Sequence, residues 1–519
     1  MQELQRGYGL ARAIFEKKAN LVSLFPKTKA FLHKYTKTEI EKAIIDSLID
    51  AMESGGICID YQDVLSKNPN LPQTLTSETI LALEKQNIIY FQNKFYFKRT
   101  YEAEKFIALQ LKKFIDTPPK SIKNLQVNQN ISKEQEKAIQ HSVENSLSII
   151  TGGPGTGKTT ILKIIIDNLI KQNYNPEKIL VAAPTGKAAK RLQQSLGEIE
   201  ISPPSTIHRL LGYNPKTGLW FYTEENPLSA NVIILDECSM VDIYILEALL
   251  KAFVYTEESK LILVGDPDQL LSVNRGAIFS NLVELEKNQV KLTKVFRQTQ
   301  EGKEINFLIQ DIKAQKLNSL QNYKSDEIKK MGVSWIECLN IETYNKIILE
   351  WYDLFKDQNF QILTPFNKGE LGIETLNELL SQNSNQIPYI ITTNLPEFNL
   401  FNGEIGFIQK ENGKYYFTEK DTRNKIEIPE YLHDKFFPAF AITIHKSQGS
   451  EYDHVCLILP PQQDLSEKQE LFLTRRLVYT GVTRAKKSLC VLGPLDSWNK
   501  VITTQEYKRI SSLPIYLNQ

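Results

Sequence analysis

Short apolar runs alternate with segments of helical periodicity over most of the chain, and most runs end directly in a glycine, an aspartate or a polar motif. Runs at 147–150, 179–183, 232–235, 261–264, 360–364, 455–459 and 489–492 predict buried strands. Strands alternating with helices predict a parallel α/β architecture, where ligands gather beyond the carboxyl ends of the strands. Residues 1 to about 110 read differently. Helical patterns such as that over 38–49 are punctuated by Gly55-Gly56 and Asn68-Pro69-Asn70. The runs 88–91 and 94–97, split by Gln92-Asn93, predict a hairpin. The polar, proline-interrupted stretch 116–130 suits a linker.

Bulk properties narrow the class. A chain of 519 residues accommodates several domains. With 41% hydrophobic and 24% charged residues it reads as globular rather than disordered. The net charge is +1, from 62 basic and 61 acidic residues, so any nucleic-acid contact must come from a local basic groove. The cysteines (Cys58, Cys238, Cys338, Cys456, Cys490) are scattered, which indicates neither a disulfide framework nor a zinc site. No leader pattern and no apolar run of membrane-spanning length is present, so a soluble cytoplasmic protein without membrane association is expected.

The chemistry concentrates behind the first predicted strand. Ser148-Ile149-Ile150-Thr151 runs into Gly152-Gly153-Pro154-Gly155-Thr156-Gly157-Lys158-Thr159-Thr160, which fills the template G-x-x-x-x-G-K-[ST] of a phosphate-binding loop. Glycines let backbone N–H groups turn onto a phosphate chain at a helix N-terminus. Lys158 is placed to reach the β/γ-phosphates and the Thr159 hydroxyl to hold Mg²⁺. ATP and Mg²⁺ are therefore expected. The plainer reading, a glycine turn with a surface lysine, is outweighed by the strand before the loop and the helix after it.

Further on, the apolar run 232–235 delivers Asp236-Glu237. Such an aspartate holds Mg²⁺ in P-loop hydrolases, and the adjacent glutamate is the candidate to orient and deprotonate the attacking water. Alone the pair would read as a solvated strand end. Gln269, after the run 261–264, is a candidate γ-phosphate sensor, although a loop glutamine is ordinarily solvated. Arg297 and Arg484 are candidate arginine fingers for the transition-state charge, with Arg275 a weaker third.

In this order, the segments resemble the motifs of a superfamily 1 helicase over roughly residues 131–495. Ile131-Ser132-Lys133-Glu134-Gln135 resembles the Q motif, which makes Gln135 an adenine reader; Ala183-Pro184-Thr185-Gly186-Lys187 resembles motif Ia; Asp236-Glu237-Cys238-Ser239 resembles motif II. Thr443-Ile444-His445-Lys446-Ser447-Gln448-Gly449 resembles motif V, and the segment around Arg484 motif VI. Their wording is most similar to the RecD family, the alpha subunit of exodeoxyribonuclease V. That resemblance implies two RecA-like P-loop domains with a mostly helical N-terminal domain and a small SH3-like β insertion. The expected boundaries are 1–115 (docking domain), 116–130 (linker), 131–300 (domain 1A, with a 1B hairpin about 211–228) and 301–519 (domain 2A, with the 2B insertion about 394–437). It implies an ATP-dependent 5′–3′ DNA helicase acting on single-stranded DNA and duplex ends, with beta and gamma subunits as partners. It also implies backbone contacts to the strand from Thr185, Gly186, Lys187, Thr206, His208, Thr443, His445, Lys446 and Ser447. The hairpin would split the duplex as a pin, and a nuclease site is expected in another subunit.

Three rivals remain. A stand-alone RecD-like helicase carries a longer N-terminal extension, for which the roughly 125 residues here leave little room. An RNA helicase is disfavoured by the wording of motifs II and V. A non-motor subunit that only binds DNA and partners is opposed by the intact Lys158, Asp236, Glu237, Arg297 and Arg484.

Overall fold

The computed structural model describes residues 32–122, 125–127, 131–296, 302–420, 423–504, 506 and 508–518. Every predicted parallel strand is present. Those at 179–183, 232–235 and 360–364 keep the same residues, and the others extend or shift by one to four.

The N-terminal region holds helices α1 (Glu39–Glu53), α2 (Tyr61–Lys67), α3 (Ser77–Lys85) and α4 (Lys98–Asp116), with strands β1 (Cys58–Asp60), β2 (Ile88–Phe91) and β3 (Lys94–Phe97) in the antiparallel order β1-β3-β2. Gln92 and Asn93 both take left-handed φ, +50° and +61°, the backbone that a tight two-residue hairpin turn requires. A small core of Ile44, Leu48, Val64 and Phe95 belongs to this region alone. Helix α4 is shared. Its Ile107, Leu111 and Phe114 lie in one apolar cluster with Leu246, Leu249 and Phe253 of the first parallel unit.

That unit is a six-stranded parallel sheet. Its strands are β4 (Leu147–Gly152), β5 (Ile179–Ala183), β6 (Ser205–Thr206), β7 (Val232–Leu235), β8 (Lys260–Gly265) and β9 (Gln289–Leu292), ordered β6-β5-β7-β8-β4-β9. The central strands are buried along their whole length, as continuous Val/Ile/Leu runs covered on both faces must be. Around it lie α5 (Lys133–Glu144), α6 (Lys158–Lys171), α7 (Gly186–Leu196) and α8 (Ile243–Ala252). The stretch expected to be a linker is fastened to this unit: Ile122, Leu125 and Val127 pack on its core, and Gln126 exchanges two 2.9 Å hydrogen bonds with Asn168.

After α9 (Gly302–Lys313), a second parallel sheet uses β10 (Gly332–Ile336) and β11 (Phe360–Thr364). An inserted antiparallel sheet comes next: β12 (Pro388–Ile391), β13 (Ile405–Glu411), β14 (Lys414–Glu419), β15 (Lys425–Ile428) and β16 (Phe436–Pro438), ordered β15-β14-β13-β12-β16. The parallel sheet then resumes with β17 (Ala441–Thr443), β18 (Tyr452–Ile458) and β19 (Ala485–Leu492), giving β10-β19-β18-β11-β17. The insertion begins at Pro388, earlier than the expected 394. Between β18 and β19 runs α10 (Arg475–Val482).

In 211–228 the ladder of a hairpin is missing. A single antiparallel bridge, Asn214 to Leu219, closes a tight loop, with Leu219 and Phe221 about two-thirds exposed. The C-terminal segment was not foreseen. Helix α11 (Leu513–Asn518) returns to α4; beside it the Tyr96 hydroxyl accepts from Ser512 Oγ at 2.7 Å, and the Phe91 and Tyr516 rings stack at 4.9 Å. Among the described residues no helix is long and apolar enough to cross a membrane.

Candidate functional site

The phosphate-binding loop leaves β4 and enters α6 as predicted. Gly155 and Gly157 take φ of +76° and +80°, a left-handed backbone that side chains resist. A Cβ on Gly157 would also sit 2.4 Å from Gln135 Nε2. Lys158 Nζ donates to the carbonyls of Gly152 (2.6 Å) and Gly153 (3.1 Å), and Thr156 Oγ1 donates to Gly153 O at 2.8 Å. Pro154 and Thr159 are half-buried, and Thr160 is exposed on the first helical turn.

Gln135, expected to read adenine, is bonded at both ends of its amide to the protein. Its Oε1 accepts from Ser132 N at 3.0 Å in a capping box that starts α5, and its Nε2 donates to Thr156 O at 3.0 Å. Buried to 3% exposure and bonded at both ends, it props the loop. The neighbouring ring is that of Phe296, whose N–H donates to Gly155 O at 2.8 Å. Arg297 lies outside the described residues.

Carboxylates converge at the ends of β7 and β8. Asp236 Oδ1 accepts from Glu237 N at 2.9 Å; burial first, then the Glu237 charge, pushes the Asp236 pKa up to about 6, against a pull from Lys158. Burial also raises Asp266, with Lys158 again opposing. Glu237 holds a left-handed φ of +54°, a conformation that costs a non-glycine residue about 1–2 kcal/mol and that clusters at functional positions. Gln269 is buried; its Nε2 donates to Asp266 Oδ2 at 3.4 Å, and its Oε1 has no partner among the described residues. This surplus of buried negative charge fits a divalent cation beside Thr159. No cluster of three or more metal-ligating side chains exists among the described residues, so such an ion would complete its shell with phosphate oxygens and water.

Arg484 faces these groups from the second unit. It is 2% exposed, with Nε donating to Thr480 O (3.0 Å), Nη1 to Ser450 O (2.9 Å) and Nη2 to Thr483 Oγ1 (3.2 Å). Among the described residues no carboxylate pairs with it. Burial lowers its pKa while Glu237 and Asp266 pull it back up. The helix before it, α10, supplies two residues of the motif VI segment to which no role was assigned: the Tyr479 hydroxyl donates to Asp266 Oδ2 at 2.9 Å, and Thr480 Oγ1 accepts from Leu270 N at 3.0 Å. Lys313 of α9 pairs with Asp268 at 2.7 Å. Asp266 carries the signal that flags Asp236, a carboxylate ending a buried strand; Lys313 carries none. Arg275 lies elsewhere, beside Tyr244.

The residues expected on the strand path divide in two. Gly186 packs under Phe401, and Lys187 Nζ donates to Gly403 O at 3.3 Å, so motif Ia abuts the inserted sheet. One turn on, Lys190 pairs with Glu404 (2.9 Å) and Glu419 (2.7 Å), and Arg191 bonds Glu451. Lys446 is exposed and His445 half-buried, with burial holding the imidazole below its usual pKa and so neutral near pH 7. Thr185, Thr206, Thr443 and Ser447 turn their hydroxyls inward: the threonines accept from Ala188 N, Arg209 N and Lys446 N, and Ser447 donates to Ile444 O. In these bonds all four serve turns and caps. His208 packs edge-on against Tyr213 and beside Trp220.

Two parallel units that bring a phosphate-binding loop, buried carboxylates and a buried arginine to one cleft define a P-loop NTPase of the helicase type. The AAA domain family matches residues 135–275, and the UvrD-like helicase C-terminal domain family matches 438–492. The RecBCD enzyme subunit RecD of Buchnera aphidicola subsp. Acyrthosiphon pisum (strain APS) is 30% identical, over 90% of this chain and 88% of that protein. The ATP-dependent RecD2 DNA helicase of Deinococcus radiodurans is 28% identical, over 81% of this chain and 58% of that one. Among solved structures, Pif1 helicase from Bacteroides in complex with ADP-AlF3 and ssDNA is 20% identical with a TM-score of 0.42, over 70% of this chain and 92% of that one. The chain belongs to the RecD family.

Proposed function

We propose that this chain is an ATP-dependent DNA helicase, the motor subunit of a RecBCD-type helicase–nuclease complex that processes duplex DNA ends, moving 5′ to 3′ along single-stranded DNA. The observation that carries the reading is Arg484: a buried guanidinium with no carboxylate partner among the described residues, facing Glu237 and Asp266 of the first unit. An isolated buried charge is costly unless a ligand's charge meets it.

In this reading the loop 152–157 and Lys158 hold the phosphate chain, with Thr159 and Asp236 as protein ligands to Mg²⁺. The ion, when bound, neutralises phosphate charge. Glu237 orients the attacking water and accepts its proton, Gln269 senses the γ-phosphate, and Arg484, with Arg297 as the alternative, stabilises the charge that develops in transfer. Gln135 positions the loop, and Phe296 offers a ring beside it. Lys187, His445 and Lys446 track the strand, while Gly186 brings the backbone close. The exposed 211–228 loop acts as the duplex-splitting pin, and the 388–438 sheet as an SH3-like 2B domain over the strand. The N-terminal region docks on the beta and gamma subunits in the cytoplasm.

Steady-state ATPase of the purified protein with single-stranded DNA, single-stranded RNA or neither tests the class. Stimulation by DNA is expected; equal stimulation by RNA, or none, overturns it. Arg484→Ala should retain nucleotide binding and lose turnover by a factor on the order of 10³. Unwinding of duplexes with a 5′ overhang and not those with a 3′ overhang tests polarity.

A further inference from the structure

Arg509 lies outside every matched motif, in the C-terminal segment that returns from the second unit. Its Nη1 donates to three carbonyls at once, Ser272 (2.7 Å), Asn274 (3.0 Å) and Gly276 (3.2 Å). All three belong to the loop after β8, which opens with Asp266 and Gln269. The N-terminal region closes the same junction. Gly276 N donates to Gly55 O at 2.8 Å, and at Gly55 (φ +79°) a Cβ would stand 2.3 Å from the Arg509 Cζ.

The near end of this loop is also held from the second unit, through Tyr479 on Asp266, Thr480 on Leu270 N and Lys313 on Asp268. The loop thus grows from a strand of the first unit while both its ends are gripped by residues beyond it in sequence. Tail anchoring alone does not call for an arginine here. Leu513 and Leu517 are buried at 0% and 4% exposure, and Ser512 is bonded to Tyr96 and Glu104. A cationic nitrogen donating to several carbonyls fixes the loop's path as an apolar contact would not.

We propose that Arg509 is a positioning residue for ATP hydrolysis: it pins the far end of the 266–276 loop to the first unit and the N-terminal region, so that Asp266 and Gln269, gripped at the near end by the second unit, are set for turnover only when the cleft closes. The proposal rests on the helicase reading above and adds to it a link from the chain's C-terminal segment to the γ-phosphate sensor.

The test is steady-state ATPase of the full chain with and without a single-stranded oligothymidine, beside thermal melting. Arg509→Ala should lower the DNA-stimulated kcat about tenfold, the worth of roughly one charge-assisted hydrogen bond, and move KM for ATP by less than about twofold. Arg509→Lys, which keeps a cationic donor for the same carbonyls, should restore most of the loss; failure to do so in folded protein counts against the proposal. Leu517→Ala loosens the tail helix without touching the loop, so it should lower Tm and leave kcat at the wild-type value. Equal kcat losses in Arg509→Ala and Leu517→Ala, or an unchanged kcat in Arg509→Ala, overturns the role. If Arg509→Ala does not fold, Gly55→Ala displaces the guanidinium from the other side; a wild-type kcat in that folded variant overturns the role equally. Wild-type protein without DNA stimulation instead overturns the helicase reading, which keeps the two failures apart.

Discussion

The Tyr479 hydroxyl donates to Asp266 Oδ2 at 2.9 Å, tying the helix that ends two residues before Arg484 to the strand end that leads to Gln269. The same hydroxyl lies over the phosphate-binding loop, 3.3 Å from where a Cβ on Gly153 would be. One phenol therefore touches the second unit's arginine helix, the first unit's carboxylate and the rim of the nucleotide site. Burial raises Asp266, and this bond steadies its ionised form.

Tyr479→Phe keeps the ring and removes the bond. A hydrogen bond to a charged group contributes about 1.5–3 kcal/mol, so kcat should fall roughly tenfold or more if the contact belongs to the closed, hydrolysing state. KM for ATP should move little. Steady-state ATPase with saturating single-stranded DNA checks this, and a matched rise in KM with unchanged kcat would instead assign the phenol to ground-state binding.

Asp236 gives a pH signature. Its pKa in the folded chain is raised from 3.8 to about 6, so the folded protein is relatively stabilised while the group is protonated and loses that stabilisation as pH rises through about 6. Two outcomes are expected. Asp236→Asn should raise the Tm of nucleotide-free protein at pH 8, with the gain shrinking as pH falls toward 4. Turnover by wild type should decline below an apparent pKa near 6, and that value should move down as Mg²⁺ is raised, because the cation binds the ionised form. A midpoint indifferent to Mg²⁺ would remove Asp236 from the metal site.

Much of the motor was legible because its signals are local. The run at 232–235 is apolar at every position and is followed by two carboxylates, and that pattern alone placed β7 and Asp236. Gln135 carries a second local signal: Ser132 followed three residues later by Gln135 is the signature of a capping box, and its amide bonds the helix cap and the carbonyl of Thr156. Strand β17 is three residues long, too short for periodicity to register. Tyr479 on Asp266, Arg509 on the 272–276 carbonyls and Lys190 on two glutamates join positions more than two hundred residues apart, and no spacing rule reaches that far.

Lys190 sits between Glu404 and Glu419, and all three side chains are at most 18% exposed. Removing one partner of a buried ion pair costs roughly 3–5 kcal/mol, because the charge left behind is uncompensated. Lys190→Ala should therefore loosen the inserted sheet from α7, seen as earlier proteolytic cleavage within 388–438 and weaker single-strand binding. Combining Lys190→Met with Glu404→Gln and Glu419→Gln should recover most of the protease resistance. Recovery of DNA binding as well would show that the contact, rather than its charge, encloses the strand.

The N-terminal region sets the last prediction. It shares a core with the first parallel unit through Ile107, Leu111 and Phe114, and it holds the C-terminal segment through Glu104, whose carboxylate is fully buried and accepts from Tyr96 and Ser512. Deleting residues 1–110 would expose that core and strip α11 of its seat, so the truncated chain should be insoluble rather than an active motor. A deletion therefore cannot separate docking from buttressing, and surface substitutions can. Leu81 and Leu109 are 57% and 52% exposed and lie outside the shared core. Leu81→Glu with Leu109→Glu should leave Tm and DNA-stimulated ATPase close to wild type, since exposed substitutions away from packed features shift stability by only about 0.5 kcal/mol. If this region docks on the partner subunits, the double variant should no longer copurify with them. Retained assembly together with full activity would move the interface onto the motor units.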